Sequence, residues 1–315
     1  MTPLHVRRID ALLLLMTLIW GTNFAIVKRA FVDIDPQAFN AVRLIVASAA
    51  FLATMAAIRR LPPDRRVEGS FASVLYTPAA MGKRDAIGLL GLAIVGQVLY
   101  QYCFVGGLAK TSVANAALIT GGAPVLIALM SAAIGDERVA PAHWLGALLS
   151  LTGIYIVVGP GVHVGGTTWV GDLMMFGAVC CWAIYTLGSR TLMLRHSPLA
   201  VTGVSMTIGT VLYVLMVLPH IQAVAWNRVA MGTWFVMVYS GLFALCIAYT
   251  IWYAAVRQLG SARTSVYSNL IPLVAMTTAA VFLHEPLGVR KIIGAAAVLI
   301  GVALTRVRPL NPNPE

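Results

Sequence analysis

The chain has 315 residues, of which 59% are hydrophobic and only 10% charged, and its mean hydropathy is +0.86. A soluble domain carries about 25% charge, so this chain has too few polar side chains to cover its apolar atoms in water, and lipid is the expected solvent for most of it. The net charge of +11 does not point to nucleic acid, because the basic residues lie in the gaps between apolar runs rather than in clusters with aromatics.

Backbone amides in a bilayer must be satisfied within the chain, so each long apolar run reads as a helix of about 20 residues. Ten runs follow one another, at 10–29, 37–58, 86–107, 113–134, 143–160, 170–189, 199–218, 231–255, 264–283 and 289–305. The long gap at 59–85 is the least apolar stretch and carries six basic residues. With the N-terminus inside, 15 basic residues face the cytoplasm and 6 face out, leaving Arg43 within a span. Both termini are therefore expected in the cytoplasm, in a multi-pass protein of the plasma (inner) membrane. No small-residue cleavage site follows the first run, so it reads as a span rather than a signal peptide. Cys103, Cys180, Cys181 and Cys246 all fall inside apolar runs and read as packing residues.

The sequence matches itself at two offsets. Asp10 and Asp172, Trp20 and Trp182, Lys28 and Arg190, and Pro36 and Pro198 are each 162 residues apart. Pro124 and Pro272, Glu137 and Glu285, Gly146 and Gly294, and Gly153 and Gly301 are each 148 apart, the longer first-half loop absorbing the difference. A unit of five spans is odd, so its second copy enters the membrane from the opposite side. The expected fold is an all-α polytopic membrane protein of ten transmembrane helices in two inverted five-helix repeats, 1–160 and 161–315. Such halves are the architecture of alternating access.

The run Ile19-Trp20-Gly21-Thr22-Asn23-Phe24, with Pro36, Phe39 and Ala41-Val42-Arg43-Leu44, resembles the opening of EamA-type members of the drug/metabolite transporter superfamily. Pro124, Gly135, Glu137, Gly146 and Gly153, echoed by Pro272, Glu285, Gly294 and Gly301, are similar to the way that family ends each half. The resemblance covers essentially the whole chain and implies a central cavity lined by spans 1, 3, 4, 6, 8 and 9, with export of amino acids or related metabolites. Two positions depart from the internal match: Ala183 stands opposite Gly21, and Ser205 opposite Arg43.

Candidate substrate contacts are the side chains that lipid would penalise. Arg43 lies about 10 Å inside its span by helical rise, where it either meets an anionic group in a cavity or snorkels to the interface. Trp20 and Trp182 sit too deep for the interfacial aromatic belt and can form cavity walls or pack helices, with Asn23 one turn from Trp20. Tyr100 and Gln101 in the third span, Tyr185 in the sixth, Tyr249 and Trp252 in the eighth, and Tyr267 and Asn269 in the ninth complete the set. Gln97 and Gln101, like Tyr249 and Tyr253, are four residues apart and share a helix face. Pro124 and Pro272 are candidate hinges. Gly146, Gly153, Gly294 and Gly301 read as a close-packing face, and Glu137 and Glu285 as anchors at span ends.

Neither a nucleotide-binding G-x-x-x-x-G-K-S/T nor an H-E-x-x-H or G-x-S-x-G motif occurs, so neither ATP coupling nor enzymatic activity is expected, and no cofactor or metal is implied. No Asp or Glu lies near the middle of a span, where ion coupling usually places one, which argues for facilitated or exchange transport. The expected partners are a small-molecule substrate and the lipid bilayer, with the chain acting as a monomer. Aromatic walls with Arg43 favour an amino acid with an apolar or aromatic side chain. A sugar-phosphate or nucleotide exchanger, which should need more than one cavity cation, is the alternative within transport; a membrane enzyme or sensor scaffold is the alternative outside it.

Overall fold

The computed structural model describes residues 3–61, 76, 79–133, 141–158, 167–259, 264, 267, 268 and 270–304, and these contain helices and no strand. The helices are α1 (Pro3–Ala30), α2 (Pro36–Arg60), α3 (Lys83–Lys110), α4 (Val113–Gly121), α5 (Ala123–Ala133), α6 (Pro141–Val158), α7 (Thr167–Met193), α8 (Pro198–Met216), the short α9 (Leu218–Ala223), α10 (Met231–Leu259), α11 (Leu270–Phe282) and α12 (Val289–Leu304). Six, α1, α2, α3, α7, α8 and α10, contain stretches long and apolar enough to cross a membrane. Exposed Leu, Ile, Val and Phe, such as Leu18, Leu148, Leu215 and Phe235, cover the outward faces of the helices, as contact with lipid requires.

Local sequence sets the helix starts. Asp35 accepts from the amides of Gln37 and Ala38 at 2.9 and 3.1 Å, and Pro36 opens α2. Ser197 accepts from Ala200 N at 3.3 Å, and Pro198 opens α8 in the same way. These two Ser/Asp-Pro starts are 162 residues apart. Glu285 accepts from Val113 N at 2.9 Å and from Ala114 N at 3.3 Å, so it caps α4 from a distant turn. Glu137 and Gly135 lie outside the described residues.

The predicted run 113–134 is interrupted at one residue, Gly122, whose φ of −77° and ψ of −7° stay in the right-handed region. Pro124, two residues on, has no N–H to give to the ladder of α4 and its ring crowds the preceding turn. Pro272 lies in α11, and its Cγ would be 2.8 Å from a Cβ placed on Gly121. The two prolines thus sit beside a one-residue helix interruption and at a tight helix contact.

Two features have no counterpart among the sequence expectations. Inside α3 the stretch Ala93–Leu99 is π-helical, and inside α10 so is Ser240–Ile247. Shifting 93–99 by 148 residues gives 241–247, so the two π stretches fall at matching places of the two sequence copies. Each packs on the other half's second helix: a Cβ on Gly209 of α8 would overlap Gln97 Cβ, and one on Gly241 would lie 2.7 Å from the Arg43 carbonyl on α2. The close-packing face joins α6 to α12, where a Cβ on Gly153 would lie 2.7 Å from Gly294 O and 2.8 Å from Val298 N.

Candidate functional site

The first helices of the two halves meet at the middle of the molecule through aromatic rings. Trp20 of α1 and Trp182 of α7 are edge to face with centroids 6.2 Å apart. Tyr249 of α10 stands 5.8 Å from Trp20 and 5.5 Å from Trp182, and Trp252 lies 5.7 Å from Trp20. Tyr100 of α3 is 5.4 Å from Trp182, and Tyr185 is 6.1 Å from it. Six of the sequence-predicted residues therefore form one aromatic cluster. The Trp20 indole N–H donates to Ala244 O at 2.9 Å, inside the second π stretch. The first π stretch receives the Tyr185 ring, since a Cβ on Gly96 would overlap Tyr185 Cδ2. Aromatic partners and small residues hold each π stretch in place.

Next to these rings lies the polar part of the site. Arg43 is 2% exposed, and its Nε and Nη1 are buried with no hydrogen-bond partner. It does not snorkel to the interface. Tyr100, Tyr249 and Tyr213 lie within its electrostatic range, and it is the one buried Lys or Arg among the residues whose side chains are described. Gln97 and Gln101 are fully buried, and both amide atoms of each lack partners; the same is true of Asn40, one turn before Arg43. An unpartnered buried amide costs about 1–3 kcal/mol and an unpaired buried charge more. Such a concentration of unsatisfied groups marks a place built for a polar ligand or water.

Other predicted residues have structural partners. Asn23 accepts from Ser240 Oγ at 2.6 Å and so links α1 to α10. The Tyr267 carbonyl accepts from Thr17 Oγ1 at 3.1 Å, and its side chain packs against the central core. Asn269 lies outside the described residues. Tyr213, whose hydroxyl donates to Gln37 Oε1, and Ser205, 3.2 Å from the Tyr185 hydroxyl, are polar members of the centre outside the predicted substrate contacts. Spacing carried a signal for Asn40 and Tyr213: each is three residues from another polar position of its span, Arg43 and Thr210 respectively.

The four cysteines are free and partly buried. Among the described residues no cluster of His, Cys, Asp and Glu suits a metal. A cavity of about 370 Å³ opens at the far end of α1, lined by Asp33, Asp35, His220 and Arg228 among others, and contains none of the predicted contacts. It is open to solvent, and the unsatisfied groups identify the central cluster, not this cavity, as the candidate site.

The sequence pattern of the EamA-like transporter family matches twice, over residues 7–159 and 169–307. The uncharacterized transporter YyaM of Bacillus subtilis is 28% identical, over 70% of this chain and 73% of its own. A probable terminal-alkyne amino-acid exporter of Streptantibioticus cattleyicolor is 29% identical over the same shares. An uncharacterized transporter of Archaeoglobus fulgidus is 25% identical, over 94% of this chain and 96% of its own. A solved crystal structure, 20% identical, superposes with a TM-score of 0.65 over 95% of this chain and 97% of that one, which establishes a shared fold. With the family pattern spanning nearly the whole chain and apolar helices of membrane-crossing length around a polar centre, the chain belongs to the EamA-like transporter family and is a multi-pass membrane protein.

Proposed function

We propose that the protein exports a small metabolite carrying an anionic group, most plainly an amino acid with an apolar or aromatic side chain, by alternating access without ATP. The observation that carries this reading is Arg43, buried and unpartnered beside a cluster of tryptophan and tyrosine rings. A substrate carboxylate supplies the counter-charge that Arg43 lacks, and the rings accept the apolar remainder. The exporter from Streptantibioticus cattleyicolor supports the substrate class. A single buried basic side chain suits one carboxylate better than a sugar phosphate.

The proposed scaffold is ten spans in two inverted halves, 1–160 and 161–315, in the plasma membrane with both termini in the cytoplasm. Two contacts support it. Ser48 and Thr210 are 162 residues apart and share a 2.7 Å hydrogen bond, and Trp20 and Trp182, also 162 apart, touch. A residue meets its own counterpart only at a two-fold axis. The matching π stretches and the doubled family pattern support the same reading.

The buried carboxylates Asp85 and Asp172 sit near helix starts. Asp172 is held by Thr111 Oγ1 and Asn115 Nδ2, which fits transport without ion coupling. Counterflow in proteoliposomes tests the whole reading: labelled aromatic or branched amino acids should accumulate against an unlabelled internal pool with no ion gradient. Uptake seen only under an imposed proton or sodium gradient overturns the uncoupled mechanism, and no counterflow with any carboxylate in a panel of amino acids and organic acids overturns the substrate class.

A further inference from the structure

We propose that the first segments of α3 and α10, Lys83–Leu92 and Met231–Tyr239, are the two gates of the transporter. Each hinges at its π stretch and is latched at its tip to the first turn of the opposite half. The inference rests on the alternating-access reading and assigns residues to it.

The two segments begin 148 residues apart and run directly into the two π stretches. At the tip of the first, Asp85 is 3% exposed and accepts from Arg195 Nη1 at 3.2 Å and from Gly82 N at 3.0 Å. His196 Nε2 lies 3.1 Å from the same carboxylate, at ion-pair distance but with its ring N–H not aligned for a hydrogen bond. Arg195 and His196 belong to the turn between α7 and α8. At the tip of the second segment, Thr233 Oγ1 donates to Asp33 Oδ2 at 2.8 Å, and Ala230 N donates to the same oxygen at 3.2 Å. Asp33 belongs to the turn between α1 and α2.

These contacts correspond position by position: Arg195 is 162 residues from Asp33, and Thr233 is 148 from Asp85. They lie at opposite ends of the molecule, since α3 has Asp85 in its first turn and ends at Lys110, beside Lys28 near the end of α1 that carries the Asp33 turn. A helix of 28 residues separates the two levels by about 40 Å. Both latches are closed in this structure, as an occluded state requires. A π stretch is a natural hinge, because its wider turn tolerates a change of register that a regular helix resists. The chemistry of the two latches differs. At the Asp85 end charge meets charge, whereas at the Asp33 end a carboxylate meets a hydroxyl and an amide, so the two gates can be loosened separately.

Side-selective accessibility tests this. With the four native cysteines replaced by alanine, Ser205→Cys places one thiol in the buried centre, read by a membrane-impermeant maleimide applied to right-side-out and to inside-out vesicles. Arg195→Ala combined with His196→Gln should raise labelling about fivefold from the Asp85 end and leave the other end unchanged or slower, and Asp33→Ala should do the reverse. Asp85→Asn and Thr233→Val repeat the two arms from the other side of each latch, should a turn variant fail to fold. Opposite shifts support the gates. A parent that labels from both sides while latch variants do not shift it, or shift it toward the same side, overturns the gate assignment and leaves alternating access standing. A parent that labels from one side only, with and without a transported amino acid, overturns alternating access and the gates with it.

Discussion

The centre of the first half and that of the second are built on matching positions with different chemistry. Asn40, Arg43, Gln97 and Gln101 in the first correspond to Thr202, Ser205, Leu245 and Tyr249 in the second. On the first side the polar atoms are large, buried and without partners. On the second side Ser205 donates to Thr202 O at 3.1 Å and meets the Tyr185 hydroxyl, and Tyr249 joins the aromatic cluster. Similar backbones thus carry a charged, unsatisfied wall and a largely satisfied or aromatic one. The internal match fixes where the helices go, whereas the large buried polar groups without partners are concentrated on one side of it, with only the Thr202 hydroxyl unpaired at the corresponding positions of the other.

The largest expected effect comes from removing that asymmetry at Arg43. Arg43→Met should lower transport of carboxylate substrates at least about tenfold, as loss of a charge-assisted hydrogen bond implies. It should also raise the melting temperature of the substrate-free protein in detergent, because an unpaired buried charge disappears. Ser205→Ala, at the corresponding position, should change transport only a few-fold, about the effect of one neutral hydrogen bond. Equal losses from both variants break the comparison.

Gly96 and Ala244 also correspond, and they receive different rings. Gly96→Ala forces the Tyr185 ring away, since the new Cβ would overlap its Cδ2, and should cost about 1–3 kcal/mol in thermal or denaturant stability. Ala244→Gly leaves its carbonyl in place for Trp20 and should cost less. The smallest effect is expected at the paired tryptophans. Trp20→Phe loses the bond to Ala244 O, and should destabilise by about 1 kcal/mol more than Trp182→Phe, whose contacts are ring packing. Melting temperatures of the two variants, measured side by side, check this.

Much of the candidate centre was legible in the sequence because lipid punishes polarity. Arg43, Trp20, Trp182, Gln101 and Tyr249 stand out in any apolar run, and the structure gathers most of them at the centre. Asn23 stood out equally, and the structure shows it bonded to Ser240; polarity along the chain alone does not show which helix such a side chain meets. Asn40 and Ser205 were harder to see, since small polar side chains are common in membrane helices. The π stretches left no composition signal: an inserted turn depends on what packs against it, here Tyr185 on Gly96 and Trp20 on Ala244. Pro124 and Pro272 stood out as breakers in apolar runs, but what Pro272 packs against, here Gly121, is set by the neighbouring helix and not by its own run.

The sequence by itself determined the solvent, the apolar runs and the two offsets, because hydropathy and self-similarity are properties read along one dimension. Only the tertiary structure decided that Arg43 stays buried rather than reaching the interface, that Ser48 meets Thr210, and that Asp85 in α3 holds the α7–α8 turn while Asp33 in the α1–α2 turn holds the start of α10. Each of these depends on how far a helix is rotated and which neighbour it faces. At about 100° per residue, one step along the chain is enough to turn a side chain from lipid to the centre.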